Sequence, residues 1–416
     1  MSLIVQKYGG TSVGSLERIR RVAERVQTGH AAGHQLVVVV SAMAGETNRL
    51  LAMGRELSLQ PSAREMDALV ATGEQVSAAL LSIVLQAHGV RACSLLAHQL
   101  GLETDAVHNK ARIMRVKAER LAALVAQGIV PVVAGFQGID ADGNITTLGR
   151  GGTDTTAVAI AAALKADSCE IYTDVDGVYT ADPNLCPNAR KVERISYEEM
   201  LELASLGAKV LQIRSVELAM KFTVPVHVRS SFAACEGTMV VAEQEVLESV
   251  VVAGVTADHN EVKLTIRALS DHPGVVAQIF EGLAESSVSV DMIIQNVSSA
   301  GSTDLTFTVT RDDAAQAEAK ANTLAQALNA GPVLRDEEVV KVSIVGQGMR
   351  SHAGVAARMF RLLADEGINI EAISTSEIKV SCLIRAKYAE LAVRVLHDGF
   401  ALGSAAGAAS SRRLLR

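Results

Sequence analysis

Lys7-Tyr8-Gly9-Gly10-Thr11-Ser12-Val13-Gly14-Ser15 decides how the rest of this chain is read. Ahead of it, Leu3-Ile4-Val5 is short and rich in β-branched residues, the pattern of a buried strand. Behind it, Ile19, Val22, Ala23 and Val26 recur at helical spacing, and Gly29 reads as the stop. A glycine turn therefore joins a strand to a helix. Lacking Cβ atoms, Gly9 and Gly10 let backbone N–H groups approach a ligand closely. The first N–H groups of the helix have no intrahelical partners and carry partial positive charge. Such a turn suits a phosphate, and Lys7 adds a full positive charge. Taken alone, the stretch reads equally as a tight turn beside a surface lysine. No G-x-x-x-x-G-K-[ST] loop occurs, and the stretch does not match G-x-G-x-x-G.

Leu36-Val37-Val38-Val39-Val40 reads as a strand buried on both faces, as in a parallel sheet covered by helices. The small-residue turn after it puts Ser41 and Thr47 at a strand's carboxyl end, where open α/β sheets bind ligands; a polar helix cap is the plainer alternative. Residues 67–85 read as one long helix containing Gly73-Glu74. A glycine there costs helix stability and implies a close backbone approach. Glu74 suits an ammonium group, or is merely solvated. Ile129-Val130-Pro131-Val132-Val133 is a further buried strand, and Asp140-Ala141-Asp142-Gly143-Asn144 is a hairpin turn.

Gly149-Arg150-Gly151-Gly152-Thr153-Asp154-Thr155-Thr156 is a second glycine turn, feeding an alanine-rich helix over 157–164. Arg150 can grip a carboxylate at two points. Asp154 at a helix start is favourable; it serves as a plain N-cap, binds a metal or orients a lysine. Two glycine-rich anion sites, one with Lys and one with Arg plus Asp, fit a transfer site better than two coincidental caps. Asp174-Val175-Asp176-Gly177 lacks the further ligands of a calcium loop. Residues 198–212 read as helical and carry Lys209.

The 416 residues suggest two to four domains. Aromatic residues make up 3% and Trp is absent, so the core is built from Ala, Val, Leu and Ile. A net charge of −7 with no basic blocks argues against nucleic acid as a partner. Five scattered cysteines without a CxxC pair fit a reduced, cytoplasmic setting. The start does not read as a secretory signal, and no run approaches the roughly 18 apolar residues of a membrane helix.

The C-terminal third repeats at an offset of 80: His272-Pro273-Gly274-Val275 aligns with His352-Ala353-Gly354-Val355, Phe280 with Phe360, Leu283 with Leu363, Asp291 with Glu371, and Ile293 with Ile373. Each copy reads strand, glycine turn, helix, strand. The loops offer free N–H groups to a small effector; a plain dimerisation module is the alternative. Exposed edges of such sheets often pair between subunits. The tail 403–416 is expected to be disordered.

At this point the chain resembles the aspartate kinase family, over residues 7–15, 41–43, 72–74, 135–157, 172–183 and 202–232, with the repeats resembling paired ACT domains. The resemblance implies an α/β fold: a three-layer αβα sandwich (the amino-acid kinase fold) over 1–245, then ferredoxin-like ACT domains over 246–335 and 336–402. It implies transfer of the γ-phosphoryl of MgATP to the side-chain carboxylate of L-aspartate, with Mg²⁺ held mainly by the phosphates and no protein metal site. This would be the first step of lysine, threonine and methionine biosynthesis. Lys7 and Asp154 would be catalytic. Thr47, Glu74, Arg150, Gly151, Gly152 and Thr153 would bind aspartate, with Glu74 on the ammonium and Arg150 on the α-carboxylate. Lys7, Tyr8, Gly9, Gly10, Ser41, Thr173, Asp174, Tyr179, Asn184 and Lys209 would bind ATP, Asn184 standing where relatives commonly carry Arg. Asp271, Gly274, Val275, Asp291, Met292, Ile293, Gln295, His352, Gly354, Val355, Asn369, Ile370, Thr375 and Ser376 would hold lysine or threonine as feedback effector. A homo-oligomer formed through the ACT domains would follow. A kinase for glutamate or N-acetylglutamate stays possible on the same fold, as does a catalytically silent amino-acid sensor; the intact Lys7, Arg150 and Asp154 set argues against the sensor.

Overall fold

The strand Leu3–Tyr8 lies inside an eight-stranded sheet, pairing in parallel with Gln35–Val40 on one side and Ser168–Thr173 on the other. The sheet order is Arg194–Ser196, Thr238–Val241, Val226–Ser230, Ser168–Thr173, Leu3–Tyr8, Gln35–Val40, Val130–Ala134, Ala92–Leu95. Only the Val226–Ser230 and Thr238–Val241 pair is antiparallel. The coordinates are a computed structural model that describes residues 2–206, 210–242, 251–295, 301–347, 349 and 353–404.

Helices cover both faces, which is why the valine run is apolar without alternation. Tyr8, Val38 and Val40 face a cluster with Ile19, Val22 and Val26 of helix Leu16–Ala31 and Leu81 and Leu85 of helix Thr72–Ala87. Lys7 and Val39, one residue out of phase, face helix Gly152–Leu164. The result is a three-layer αβα sandwich. A smaller mixed sheet orders Ile113–Val116, Leu102–Thr104, Gln137–Ile139 and Ile145–Thr147.

Four local readings differ from expectation. Gly29 does not stop its helix, which runs to Ala31; its missing Cβ leaves room for Leu36. The expected helix over 67–85 is two helices, Ala63–Val70 and Thr72–Ala87, meeting at Ala71. That stretch, Ala63–Ala87, is also long and apolar enough to cross a membrane by length and composition, contrary to expectation. Half of its most apolar 18-residue window is buried within the protein, and the stretch carries the buried carboxylates of Asp67 and Glu74. Among the described residues of 198–212 the helix is Tyr197–Ser205, and Lys209 lies outside the described residues.

Contacts divide the chain into Met1–Tyr179 with Lys191–Val246, and Thr180–Arg190 with Leu247–Arg416. The second unit contains two four-stranded antiparallel sheets. One orders Val290–Gln295, Ser302–Thr310, Glu261–Ser270, Val333–Asp336, with helices Val275–Glu285 and Ala314–Ala327. The other orders Val251–Asp258, Val339–Gln347, Lys379–Arg385, Ile370–Thr375, with helices Ala353–Asp365 and Ala389–Gly399. Two segments therefore depart from the boundaries expected at residues 245 and 335. Strand Val251–Asp258 pairs in the second sheet, because the outer place beside Glu261–Ser270 is taken by Val333–Asp336. Thr180–Arg190, with Asn184, sits in the second unit, where Ala181 and Cys186 join the apolar core. Of the expected tail, residues 405–416 lie outside the described set.

The two repeats exchange charges, of which Lys341 and Glu261 are buried. Lys263 of the first pairs with Glu371 of the second and with Asp336. Lys341, at the equivalent place in the second, pairs with Glu261, Asp291 and Asp258.

Candidate active site

Asp154 is the third residue of helix Gly152–Leu164, where the aligned peptide dipoles favour a negative charge. The N-cap is Gly151, at φ +71°, so Asp154 is not the cap. Its Oδ1 lies 2.6 Å from Nζ of Lys7, an ion pair without hydrogen-bond alignment, and the two side chains are 12% and 11% exposed. The two glycine turns, far apart in sequence, thus converge at one end of the sheet. Gly10 allows a further approach: a Cβ there would lie 2.9 Å from the Ala42 carbonyl oxygen. The turns after strands Leu3–Tyr8 and Gln35–Val40 are stitched by Ser41 N–H to Tyr8 O and Ala44 N–H to Gly10 O.

A cavity of about 300 Å³ lies between these turns. It brings together Lys7, Gly10, Ser41, Thr47, Glu74, Arg150, Gly151, Gly152, Thr153 and Asp154. Glu74 is 3% exposed. Its Oε1 accepts the Ala42 N–H at 3.0 Å, while Oε2 is buried with no partner. Burial pushes the carboxyl up to about 7. It enters the cavity because Gly73 lets its helix touch the Ala42 turn; a Cβ at Gly73 would lie 2.8 Å from that of Ala42. Arg150 is exposed on the cavity lining and makes no ion pair among the described residues.

Other expected residues lie elsewhere. The Tyr8 ring is fully buried, stacked on Tyr172 at 4.7 Å, because strand alternation turns it away from Lys7. Only its backbone is available to a nucleotide. Thr173 ends the neighbouring strand and Asp174 follows it, beside the Gly9 turn, whose N–H donates to Tyr172 O. Tyr179 donates to Asp176, and Asn184 is exposed and bonded to Asp182. None of these four lines the cavity. Phe136, on the cavity wall at φ +67°, was not foreseen; its position between strand and hairpin was the only signal. Also unforeseen is Arg214, whose guanidinium donates to the carbonyl oxygens of Leu148 and Ala111 and so holds the second glycine turn.

The amino acid kinase family matches residues 2–230, and an ACT domain matches residues 267–323 and 342–400. The aspartate kinase of Pseudomonas putida is 54% identical over 407 residues, covering 98% of this chain and 99% of that protein. The chain belongs to the aspartate kinase family.

Among solved aspartate kinases, the E. coli aspartokinase III complex with aspartate and ADP (R-state) superposes with a TM-score of 0.79 at 28% identity, covering 95% of this chain and 99% of that one. The same enzyme in complex with lysine and aspartate (T-state) gives 0.75 at 27% identity, with the same coverage. As a member of the aspartate kinase family, this chain is a kinase with C-terminal ACT domains.

In those ACT domains the expected effector residues divide by burial. Val275, Met292 and Val355 are buried in apolar clusters, which leaves only their backbones for a ligand. Gly274 starts its helix at φ +96°, and Asp271 and Gln295 are exposed. Asp291 is engaged by Lys341. Gly354 and Ile293 are exposed, and Asn369, Ile370, Thr375 and Ser376 lie around strand Ile370–Thr375. His352 lies outside the described residues.

Proposed function

We propose that this kinase transfers the γ-phosphoryl group of ATP to the side-chain carboxylate of L-aspartate, forming 4-phospho-L-aspartate. The observation that carries this reading is the Lys7–Asp154 ion pair at 2.6 Å in a cavity that also holds Oε2 of Glu74 and Arg150, neither of which has a partner among the described residues. Glu74 would take the substrate ammonium and Arg150 its α-carboxylate, with Thr47, Gly151, Gly152 and Thr153 around them. Lys7, held by Asp154, would face the phosphates with the backbone at Tyr8, Gly9 and Gly10 and with Ser41. Thr173, Asp174 and Tyr179 would line the nucleotide side, together with Lys209.

Both reactants are anions, so catalysis consists of positioning and charge neutralisation. The attacking carboxylate is already ionised at neutral pH and requires no general base. Among the described residues no group of three or more His, Cys, Asp or Glu side chains is arranged to hold a metal ion. Mg²⁺ carried mainly by the nucleotide phosphates would neutralise charge on the transferred group.

The product would enter lysine, threonine and methionine biosynthesis, with lysine or threonine as feedback effector at the ACT domains. Ile293 and Ile373, 53% and 47% exposed, occupy equivalent places on the outer strands Val290–Gln295 and Ile370–Thr375. Such edges suit pairing between subunits, so a homo-oligomer joined through the ACT domains is part of the proposal. Five unpaired cysteines suit a cytoplasmic enzyme.

The test is ADP release with L-aspartate, L-glutamate and N-acetyl-L-glutamate in parallel, each repeated with lysine, threonine and both. Turnover with aspartate alone among the acids is expected, reduced by an end product. Turnover with another acid in preference would replace aspartate in the reading, and effector binding without turnover would turn it into a sensor.

A further inference from the structure

Asp67 stands outside the cavity, on helix Ala63–Val70, and is fully buried. A carboxylate removed from water is tolerated only where donors replace the water. Asp67 receives them from two segments: the N–H of Asn109 and Nδ1 of His108 at 2.8 Å from one, and the N–H and hydroxyl of Thr147 from the other. Thr147 ends strand Ile145–Thr147, three residues before Arg150.

The two segments also hold each other. Ala111 N–H donates to Thr147 O at 2.9 Å. At Gly149, φ +77°, a Cβ would lie 2.9 Å from the Asn109 carbonyl oxygen. The backbone that launches Arg150 is therefore seated on a bed fixed by the buried Asp67 carboxylate from one side and by the Arg214 guanidinium from the other.

The same helix leads through Ala71 into the helix that carries Glu74. Nε2 of Gln137 holds that junction by donating to Ala71 O. Asp67 thus ties together the elements bearing the two groups assigned to the α-ammonium and the α-carboxylate of the amino acid. Lys7, Gly9 and Gly10 make no hydrogen bond to this network.

We infer that Asp67 is a positioning residue for amino-acid recognition: it fixes the spacing between Arg150 and Glu74 and so sets the affinity for the carboxylate substrate, while leaving the nucleotide side alone. This rests on the reading of Arg150 and Glu74 as substrate ligands. A displacement of about 1 Å at a positioning group can cost up to about a hundredfold.

The experiment compares Asp67→Asn and Thr147→Val with wild type in the full-length enzyme, measuring KM for aspartate, KM for ATP and kcat, with Tm as the fold control. In Asp67→Asn an amide NH₂ faces bound N–H groups, and the turn must shift. KM for aspartate is expected to rise roughly ten- to hundredfold while KM for ATP stays within about twofold. Thr147→Val removes one donor and keeps the backbone N–H; it is expected to move the same parameter by a smaller factor, and it carries the test should Asp67→Asn not fold. An unchanged KM for aspartate, or an equal rise in both KM values, overturns the inference. Wild type separates the two readings: if it does not turn over aspartate, the assignment of the substrate fails first; if it does and the variants match it, only the role of Asp67 fails.

Discussion

At neutral pH the empty enzyme holds Glu74 close to half protonated, because burial raises its carboxyl to about 7. A substrate ammonium beside the unpartnered Oε2 would favour the ionised form. KM for aspartate should therefore rise as pH falls below about 7, and Glu74→Gln should raise KM and flatten that dependence in a pH series of initial rates. Stability runs the opposite way. The folded value lies above the unfolded one, so the group's contribution is fully present below about 4.5 and is lost as pH rises through about 7. Ligand-free Glu74→Gln should consequently melt above wild type at about pH 8 and match it near pH 4.5. Lys7→Ala removes the cation from the phosphate side, and kcat should fall by about 10²–10³-fold; near wild-type kcat would remove Lys7 from the mechanism. These residues were legible because charged side chains beside glycine turns have few structural uses. Tyr8, Val275, Met292 and Val355 were not, because motif position names a residue while strand and helix phase decide which way its side chain points.

At the scale of elements, the exchange of lysines between the repeats is the feature most exposed to test. Lys341 is 5% exposed and is the cation shared by Glu261, Asp291 and Asp258. Burial raises the Glu261 carboxyl, whereas Asp291 is held below the usual carboxylate range by Lys341 despite burial. Lys341→Met leaves these carboxylates facing one another, and breaking a buried pair in this way costs about 3–5 kcal/mol. Calorimetry should show a lower melting transition for the C-terminal unit, with the deficit shrinking as acid protonates the carboxylates. A deficit independent of pH would assign the loss to packing instead. The repeat itself could be read from spacing, since its matched apolar and glycine positions recur at one offset. The destination of strand Val251–Asp258 could not, because alternation marks a half-buried strand without naming its partner. Nor could the break at Ala71, a residue with high helix propensity placed where the chain must bring Asp67 and Glu74 to different neighbours.

For the molecule as a whole, the informative segment is Thr180–Arg190. Ala181 and Cys186 are buried in the core of the C-terminal unit, Thr180 O accepts the Val255 N–H at 2.8 Å, and the Thr180 hydroxyl meets Nε2 of the buried His397 at 2.9 Å. Its two ends, Tyr179 and Lys191, are joined by an antiparallel bridge within the N-terminal unit. A chain ending at Val246 would keep this excursion and lose the core it packs in, exposing apolar surface. Such a truncation should be poorly soluble and melt low. Replacing Thr180–Arg190 in it by a two-residue Asn-Gly turn, which suits strands already bridged at Tyr179 and Lys191, should restore solubility. If Asn184 has no part in nucleotide binding, the trimmed unit should also release ADP in the presence of aspartate, without response to lysine or threonine. Equal solubility and melting temperature for the trimmed and untrimmed truncations would mean that the segment is independent of the C-terminal core. A soluble trimmed unit with no turnover would return the segment to the catalytic machinery.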